Sequence, residues 1–290
     1  MTRDAVCHLD GDWLPLAQAR VPVLDRGFLF GDGVYEVVPV YARRPFRLAE
    51  HLARLRRSLR AVEIAEPLSD AGWAELIARL VRDNDPDDQC VYIQVTRGAA
   101  PRRDHAFPKG VAPTVFAYSF AFPHLSAELR ARGAEAVTLP DQRWLRGHIK
   151  SVSLLGNVLA RQASAAQGAH ETVLIRDGWL TEASASNVWV VRGGVLLCPP
   201  MDQLKLEGVR VALFDELAAA CGVALHRRAI AEWELRCADE LLLSSATKEV
   251  LAVTRLDGRA VGDGRPGPVG QALYAAYQAA KAAGAAEASA

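Results

Sequence analysis

Strand-like runs in this chain do not alternate one for one with helices, and that irregularity is what most restricts its fold. AVCHLDGDWLPL at 5–16 reads as an opening hairpin with its turn at Asp10–Gly11. GVYEVVPVY (33–41) is the next strand. Two helices then follow in succession: LAEHLARLRRSLRAVEI (48–64), with Leu48, Leu52, Leu55 and Leu59 on one face, and DAGWAELIARLVRDN (70–84). CVYIQVTRG (90–98) and TVFAYSF (114–120) return to strands, and AFPHLSAELRARG (121–133) joins a connector to a short helix. Beyond it the pattern predicts strands at 134–139, 171–176, 187–191 and 239–244, with helices at about 152–167, 206–221 and 268–282. Such an order predicts two α+β lobes rather than a doubly wound sheet. We expect a smaller amino-terminal domain over 1–120, a connector over 121–133, a larger domain over 134–282 and a disordered Ala-rich tail over 283–290.

Charge and cysteine usage narrow the function classes. The 34 basic residues are balanced by 34 acidic ones, which does not suit a chain built for nucleic acid or an anionic membrane. Arg54, Arg56, Arg57 and Arg60 cluster in RLRRSLR, where helical spacing reads as a solvated or partly functional helix face. Cys7, Cys90, Cys198, Cys221 and Cys237 are odd in number and scattered, without C-x-x-C spacing. That pattern predicts free thiols in a reducing compartment and no zinc site or disulfide framework. The start, MTRDAVCHLDGDW, has no apolar signal region, and no stretch is apolar enough to span a bilayer, so a soluble cytoplasmic protein is expected.

Lysine is scarce: Lys109, Lys150, Lys205, Lys248 and Lys281 are the full set. Lys150 opens the run KSVSLLGNVLARQ, followed by Val152, Leu154, Leu155, Val158 and Leu159 at roughly helical spacing. An ammonium against such a surface is poorly solvated, which favours the neutral amine and its attack on a carbonyl. The same window also reads as a helix-start lysine reaching out to water.

Four further segments carry chemistry-bearing residues. LTEASASNVW (180–189) offers Glu182 as a carboxylate for a protonated ring nitrogen, or as a surface turn. LEGVRVALFDELA (206–218) starts a helix at a glycine, and ELLLSSATKEV (240–250) runs a strand into Ser244, Ser245 and Thr247. Helix amides and hydroxyls together make a workable phosphate cradle. RGAAPRRDHAFP (97–108) concentrates Arg102, Arg103 and His105 in a loop suited to a substrate carboxylate, or simply solvated. The G-x-G-x-x-G at Gly262, Gly264 and Gly267 contains Pro266 and has no room for an acidic ribose partner downstream, so it reads as a loop before the last helix and not a Rossmann turn.

Taken in order, these segments resemble the fold-type IV pyridoxal-phosphate enzymes. The likeness is greatest to D-amino acid aminotransferases, with branched-chain aminotransferases and aminodeoxychorismate lyase as cousins. RGFLFGDGVYEVVPVY (26–41), VTRGAAPRRDHAFP (95–108), RWLRGHIKSVSLLGN (143–157), TEASASNV (181–188) and DELLLSSATKEV (239–250) carry the resemblance over nearly the whole chain.

It implies a smaller amino-terminal α/β lobe, a larger carboxyl-terminal lobe and pyridoxal 5'-phosphate between them. Lys150 then looks like the Schiff-base lysine that also moves the proton, and Glu182 like the partner of the pyridine nitrogen. Arg54 matches the helix arginine on the cofactor phosphate, while Gly208, Val209 and Ser245 match its amide and hydroxyl donors. Arg143 matches an arginine near the phenolic oxygen, and Leu206 the residue against the ring. Tyr35, Arg103 and His105 match the substrate-carboxylate trap, whose arginine and histidine come from the other subunit, implying a homodimer.

Arg210 and Ala246 depart from the pattern, standing where the familiar D-amino acid enzymes have threonines by the phosphate. The loop 97–108 is one residue longer than in some relatives, so Arg102 is an alternative to Arg103. The implied reaction is transamination between a D-amino acid, of the D-alanine type, and a 2-oxo acid such as 2-oxoglutarate. The alternatives are a 4-amino-4-deoxychorismate lyase, which uses the same lysine to eliminate pyruvate, and an L-branched-chain aminotransferase. From another class, a cofactor-free binding protein would also be neutral and α+β.

Overall fold

In the computed structural model, which describes residues 5–286, Asp10 and Gly11 take φ of 50° and 98° and fold the chain back on itself. Two successive positive φ values match the twist of a tight hairpin, here β1 (Val6–Leu9) and β2 (Asp12–Pro15). The chain divides into two units. One is formed by the chain up to Pro123 together with Ile149–Leu154, the other by His124–His148 together with the chain from Leu155.

The first unit continues through α1 (Arg26–Phe30), β3 (Gly33–Tyr41), β4 (Arg44–Pro45), α2 (Leu48–Ala61), α3 (Asp70–Asp83), β5 (Gln89–Thr96) and β6 (Thr114–Ala121). Its six strands form an antiparallel sheet in the order β2-β1-β6-β5-β3-β4. Side chains alternate across a strand, so Val34, Val38 and Val40 of β3 face one side. There they meet Leu52, Leu55 and Leu59 of α2 and Trp73, Ile77 and Leu80 of α3 in one core. Each such aliphatic side chain contributes about 1.5–3 kcal/mol by burial. The opposite face carries Tyr35, Tyr92 and Tyr118, with ring centroids 5.6 and 5.5 Å apart along the row. Glu36 has the parity of the core valines and is fully buried, so it must be paired.

The second unit runs through α4 (Ala127–Arg132), β7 (Ala134–Pro140), α5 (Leu155–Ala166), β8 (Glu171–Arg176), β9 (Trp179–Ala183), β10 (Asn187–Arg192) and β11 (Val195–Cys198). It continues with α6 (Val209–Ala220), β12 (Leu225–Arg227), α7 (Glu232–Arg236), β13 (Glu240–Ser245), β14 (Glu249–Leu256), β15 (Arg259–Ala260) and α8 (Pro268–Ala286). Its sheet has the order β12-β11-β10-β13-β14-β7-β8-β9, with β15 on β14. Parallel pairs (β11 with β12, β14 with β7, β7 with β8) sit among antiparallel ones. Val173, Val188, Val190, Leu241, Leu243, Leu251 and Val253 fill the core below it.

Several boundaries differ from expectation; α2 ends at Ala61 and not 64, and α6 starts at Val209 and not 206. Ile149–Leu154 belongs with the first unit, because Ser151 bridges to Val34 and the amides of Tyr35 and Val152 donate to Lys150 and Gly33 carbonyls at 2.9 and 3.0 Å. The helix expected from about 152 therefore starts only at Leu155. At the other end, α8 runs on to Ala286 where disorder was expected from 283, in keeping with the strong helix propensity of alanine. The rest of that tail, 287–290, lies outside the described residues. No helix among the described residues is long and apolar enough to cross a membrane.

Candidate active site

Lys150 stands between a bend at Ile149 and the bridge of Ser151 to Val34. Ile149 is 5% exposed in the first unit's core, while Lys150 lies on the side of Tyr35. The ammonium nitrogen lies 4.0 Å from the centroid of the Tyr35 ring, within cation–π range. Its backbone amide donates to Ser58 Oγ on α2 at 3.2 Å. The apolar helix face proposed to desolvate this amine does not do so: Leu155, Val158 and Leu159 are 71%, 57% and 62% exposed.

One turn before Ser58, Arg54 reaches the buried Glu36. Arg54 Nε and Nη2 donate to Glu36 Oε1 and Oε2 at 2.7 and 2.8 Å, and His51 Nδ1 lies 2.9 Å from Oε2. Burial alone would raise the Glu36 carboxyl, but the Arg54 charge and the two partners' hydrogen bonds outweigh it and hold the group well below the usual range. The sequence reading assigned Arg54 to a phosphate and overlooked the bidentate carboxylate. A Glu at core parity in an otherwise apolar strand was the signal for it.

The loop after β5 holds the remaining first-unit candidates. Arg103 and His105 are exposed and both lie beside Phe30, with the guanidinium carbon 5.0 Å and the imidazole centroid 5.2 Å from its ring. Arg102 instead faces Asp104 at 3.8 Å and is 84% exposed. The geometry brings Arg103 and His105 together and leaves Arg102 apart.

In the second unit, Glu182 sits on β9 and is 6% exposed. Arg143 Nη1 donates to its Oε1, and the Leu206 amide donates to Oε2 at 3.2 Å. The same guanidinium holds Asp141 through Nε and Nη2, at 2.9 and 2.8 Å, and Thr181 Oγ1 donates to Asp141 Oδ2 at 2.8 Å. The resemblance placed Arg143 near a phenolic oxygen; here it bears on the two carboxylates. Burial pushes Glu182 upward despite Arg143, whereas Asp141, also penalised by burial, is pulled down to about 2 by Arg143 and Thr181. A carboxylate so poorly solvated gains most from a further cationic partner such as a protonated ring nitrogen.

Leu206 leads directly into Gly208, the residue before α6, whose first turn has no side-chain cap. A Cβ on Gly208 would lie 2.1 Å from Asn187 Oδ1, so close approach and not a positive φ demands glycine there. Asn187 Nδ2 in turn holds the Leu206 carbonyl at 3.0 Å. An uncapped helix amino terminus presents amides to an anion. Within five residues, 206–210, the chain thus passes from a contact on Glu182 to the amides that open α6. That spacing, with the desolvated carboxylate, fits a cofactor having a ring nitrogen at one end and a phosphate at the other.

By contrast α8, after the G-x-G-x-x-G loop, is already capped: Val269 and Gly270 amides donate to Glu240 at 2.9 and 2.8 Å. Arg210 does not stand as an open cation, being 2% exposed with its guanidinium 5.7 Å from the Tyr277 ring centroid. Ser245 Oγ accepts from the Lys248 amide at 3.1 Å, and Ala246 beside it offers only backbone polarity.

Sequence reasoning missed one buried cluster here altogether. Lys248 Nζ donates to Glu171 Oε2 and Ser186 Oγ, both at 2.8 Å, and the Ser184 and Ser186 hydroxyls donate to the same carboxylate. These partners lie far apart in sequence, and no local pattern announces them. Lys205, also buried, gives its amine to the Pro199 carbonyl, and burial lowers its pKa.

Comparison with known proteins agrees across the chain. The family model described as amino-transferase class IV matches residues 33–256. The chain is 38% identical over 269 residues to the D-alanine aminotransferase of Bacillus licheniformis, covering 93% of this chain and 94% of that protein. It is 35% identical over 271 residues to the D-alanine aminotransferase of Staphylococcus aureus strain MW2, covering 93% and 95%. Among solved structures, the branched-chain aminotransferase of Thermoproteus uzoniensis with norvaline matches with a TM-score of 0.86 at 25% identity, covering 94% of this chain and 93% of that one.

Proposed function

This chain belongs to the amino-transferase class IV family, and from that premise we propose that it moves the amino group of a D-amino acid, of the D-alanine type, to a 2-oxo acid such as 2-oxoglutarate. It is a pyridoxal-phosphate enzyme. When bound, that cofactor supplies an aldehyde to take up the amino group and a ring that withdraws electrons from the substrate Cα.

The chain's own residues supply the rest. Lys150 is the reactive amine; as general base it takes the proton from Cα, and as general acid it would deliver a proton to the carbon of the bound cofactor that carries the amino group. Tyr35, on which its ammonium rests, limits the directions from which it acts. Glu182, steadied by Arg143 and the Leu206 amide, would hold the ring nitrogen. Arg54, the amides at Gly208 and Val209, Ser245 and the Ala246 backbone would hold the phosphate. Tyr35, beside Lys150 of its own subunit, would grip the substrate α-carboxylate together with an arginine and a histidine, Arg103 and His105, supplied by the neighbouring subunit, so only one enantiomer turns its Cα–H bond toward the lysine.

The observation that carries the D-amino acid reading is the shared place of Arg103 and His105 beside Phe30. A homodimer is supported by large apolar side chains left exposed in each unit, Phe28 at 73% and Leu155 at 71% among them. A cytoplasmic setting is supported by the five cysteines, none of which is paired with another in a disulfide. The test is pyruvate formation by purified protein with pyridoxal phosphate, 2-oxoglutarate and either D- or L-alanine. Pyruvate from D-alanine that requires 2-oxoglutarate is expected. Pyruvate from L-alanine alone, or none from either, rejects the reading.

A further inference from the structure

The loop that bears Arg103 and His105 has no regular secondary structure, and residues 101–107 are all exposed. Something other than packing must hold it if it is to bind a carboxylate in one place. The side chain that does so is Arg26, at the start of α1 and 3% exposed. Its Nη1 donates to the carbonyls of Asp104 and Ala106 at 2.5 and 3.3 Å, and its Nη2 donates to that of His105 at 3.1 Å. Three consecutive carbonyls thus curl inward onto one guanidinium, leaving the side chains of Arg103 and His105 exposed beside Phe30. The same guanidinium carbon stands 4.8 Å from the Phe30 ring centroid.

Arg26 is itself fixed. Its Nε donates to Asp32 Oδ2 at 2.8 Å, and Asp32 also receives Arg97 through two bonds of 2.7 and 3.0 Å. Arg97 also donates to the Val62 and Glu63 carbonyls, at 2.6 and 3.0 Å, and lies 3.5 Å over the ring of Phe107, the next residue of the loop. One carboxylate between two guanidiniums cannot satisfy all their donors, so the carbonyls are needed to solvate the buried charge. The demand is mutual: the cations need the loop's carbonyls, and the loop needs the cations to hold its shape. Only a planar fork with separated N–H groups can serve Asp32 and three carbonyls together, which a lysine ammonium cannot.

We propose that Arg26 is a positioning residue for substrate recognition, setting the conformation of residues 103–107 and through it the affinity for the substrate carboxylate. The proposal rests on the reading of Arg103 and His105 as the carboxylate grip. Neither Arg26 nor Asp32 touches substrate or cofactor in this scheme.

The test uses the holoenzyme and the variants Arg26→Lys, Asp32→Asn, Arg103→Ala and His105→Ala. Readouts are KM and kcat for D-alanine and 2-oxoglutarate, the bound-cofactor absorbance on titration with pyridoxal phosphate, and hydrogen exchange of peptides spanning 101–108. We expect Arg26→Lys to raise KM for both substrates about tenfold or more, with kcat within about threefold and cofactor titration unchanged. Exchange over 101–108 should be faster, and Asp32→Asn should move every readout in the same direction by less. Unchanged exchange in Arg26→Lys overturns the proposal, as does faster exchange with KM unaltered while Arg103→Ala raises it. Weakened cofactor binding in proportion to the loss of activity also overturns it, by making Arg26 a general structural residue. If Arg103→Ala and His105→Ala both leave KM alone, it is the carboxylate-grip reading that fails, and the exchange data still decide whether Arg26 holds the loop. Should Arg26→Lys not fold, Asp32→Asn gives the same decision.

Discussion

Arg143 joins Glu182 to Asp141, one guanidinium serving two buried carboxylates of opposite tendency. Asp141 is stabilised as an anion, whereas Glu182 is raised by burial and left in need of more positive charge. Replacing Arg143 with Met leaves Glu182 only the Leu206 amide, while Asp141 keeps Arg176 and Thr181, and breaking a buried pair in this way costs about 3–5 kcal/mol. The expected result is a large drop in the urea midpoint of the apoenzyme, partly recovered by pyridoxal phosphate. An unchanged midpoint would mean that water already solvates both groups.

Glu182→Gln keeps the shape but removes the charge that favours a protonated ring nitrogen. We expect kcat to fall by about a hundredfold or more, with cofactor affinity changed far less. Single-turnover rates with D-alanine check this, and a kcat within a factor of a few of wild type would remove Glu182 from its role.

Lys150→Ala should abolish both the lysine-linked absorbance of the holoenzyme and measurable turnover, while leaving the fold intact by circular dichroism. Lys205→Met is the control, because that amine is committed to the Pro199 carbonyl. The control should retain the absorbance band. Loss of the band in the Lys205 variant with its retention in the Lys150 variant would reverse the assignment.

Asp141 makes stability depend on acid. Its folded-state pKa of about 2 lies below its ordinary 3.8, so its contribution is present above about pH 4 and is lost as pH falls toward 2. Nearly two units correspond to about 2–3 kcal/mol. Asp141→Asn should therefore be less stable than wild type at pH 6 and flatten the stability curve between pH 4 and 2, as read by urea unfolding. Parallel curves for the two proteins would show that other carboxylates dominate.

Gly208→Ala puts a methyl group where Asn187 Oδ1 already stands, 2.1 Å from the new carbon. Because φ there is −66°, backbone strain is not the cause, and relief must come from moving Asn187 or the start of α6. Weaker binding of pyridoxal phosphate by about tenfold is expected, with pyridoxal lacking the phosphate much less affected. Equal losses for both would place the damage outside the phosphate end.

What could be read from the sequence was whatever had local periodicity. The hairpin at Asp10–Gly11, the leucine face of α2 and the strands β3, β5 and β6 follow from spacing alone. Lys150 and Glu182 were singled out by residue type and setting, and the family resemblance gave them roles. The partners of the site residues were not legible: Arg143 for Glu182, Glu36 for Arg54, Glu171 for Lys248 and Arg26 for the carbonyls of 104–106 are all pairings distant in sequence. Fold topology creates them, and a single sequence carries no local trace of the distance closed. The apolar run after Lys150 misled for the opposite reason, since good helical spacing says that a face exists but not what it covers.

The excursion of Ile149–Leu154 into the first unit has a consequence for synthesis. A nascent chain that has emerged as far as Pro123 has every strand of the first sheet but not the segment that carries Lys150. Lys150 is delivered only after His124–His148 has also been translated, so the first unit cannot close around Tyr35 and Ser58 until the start of the second has left the ribosome.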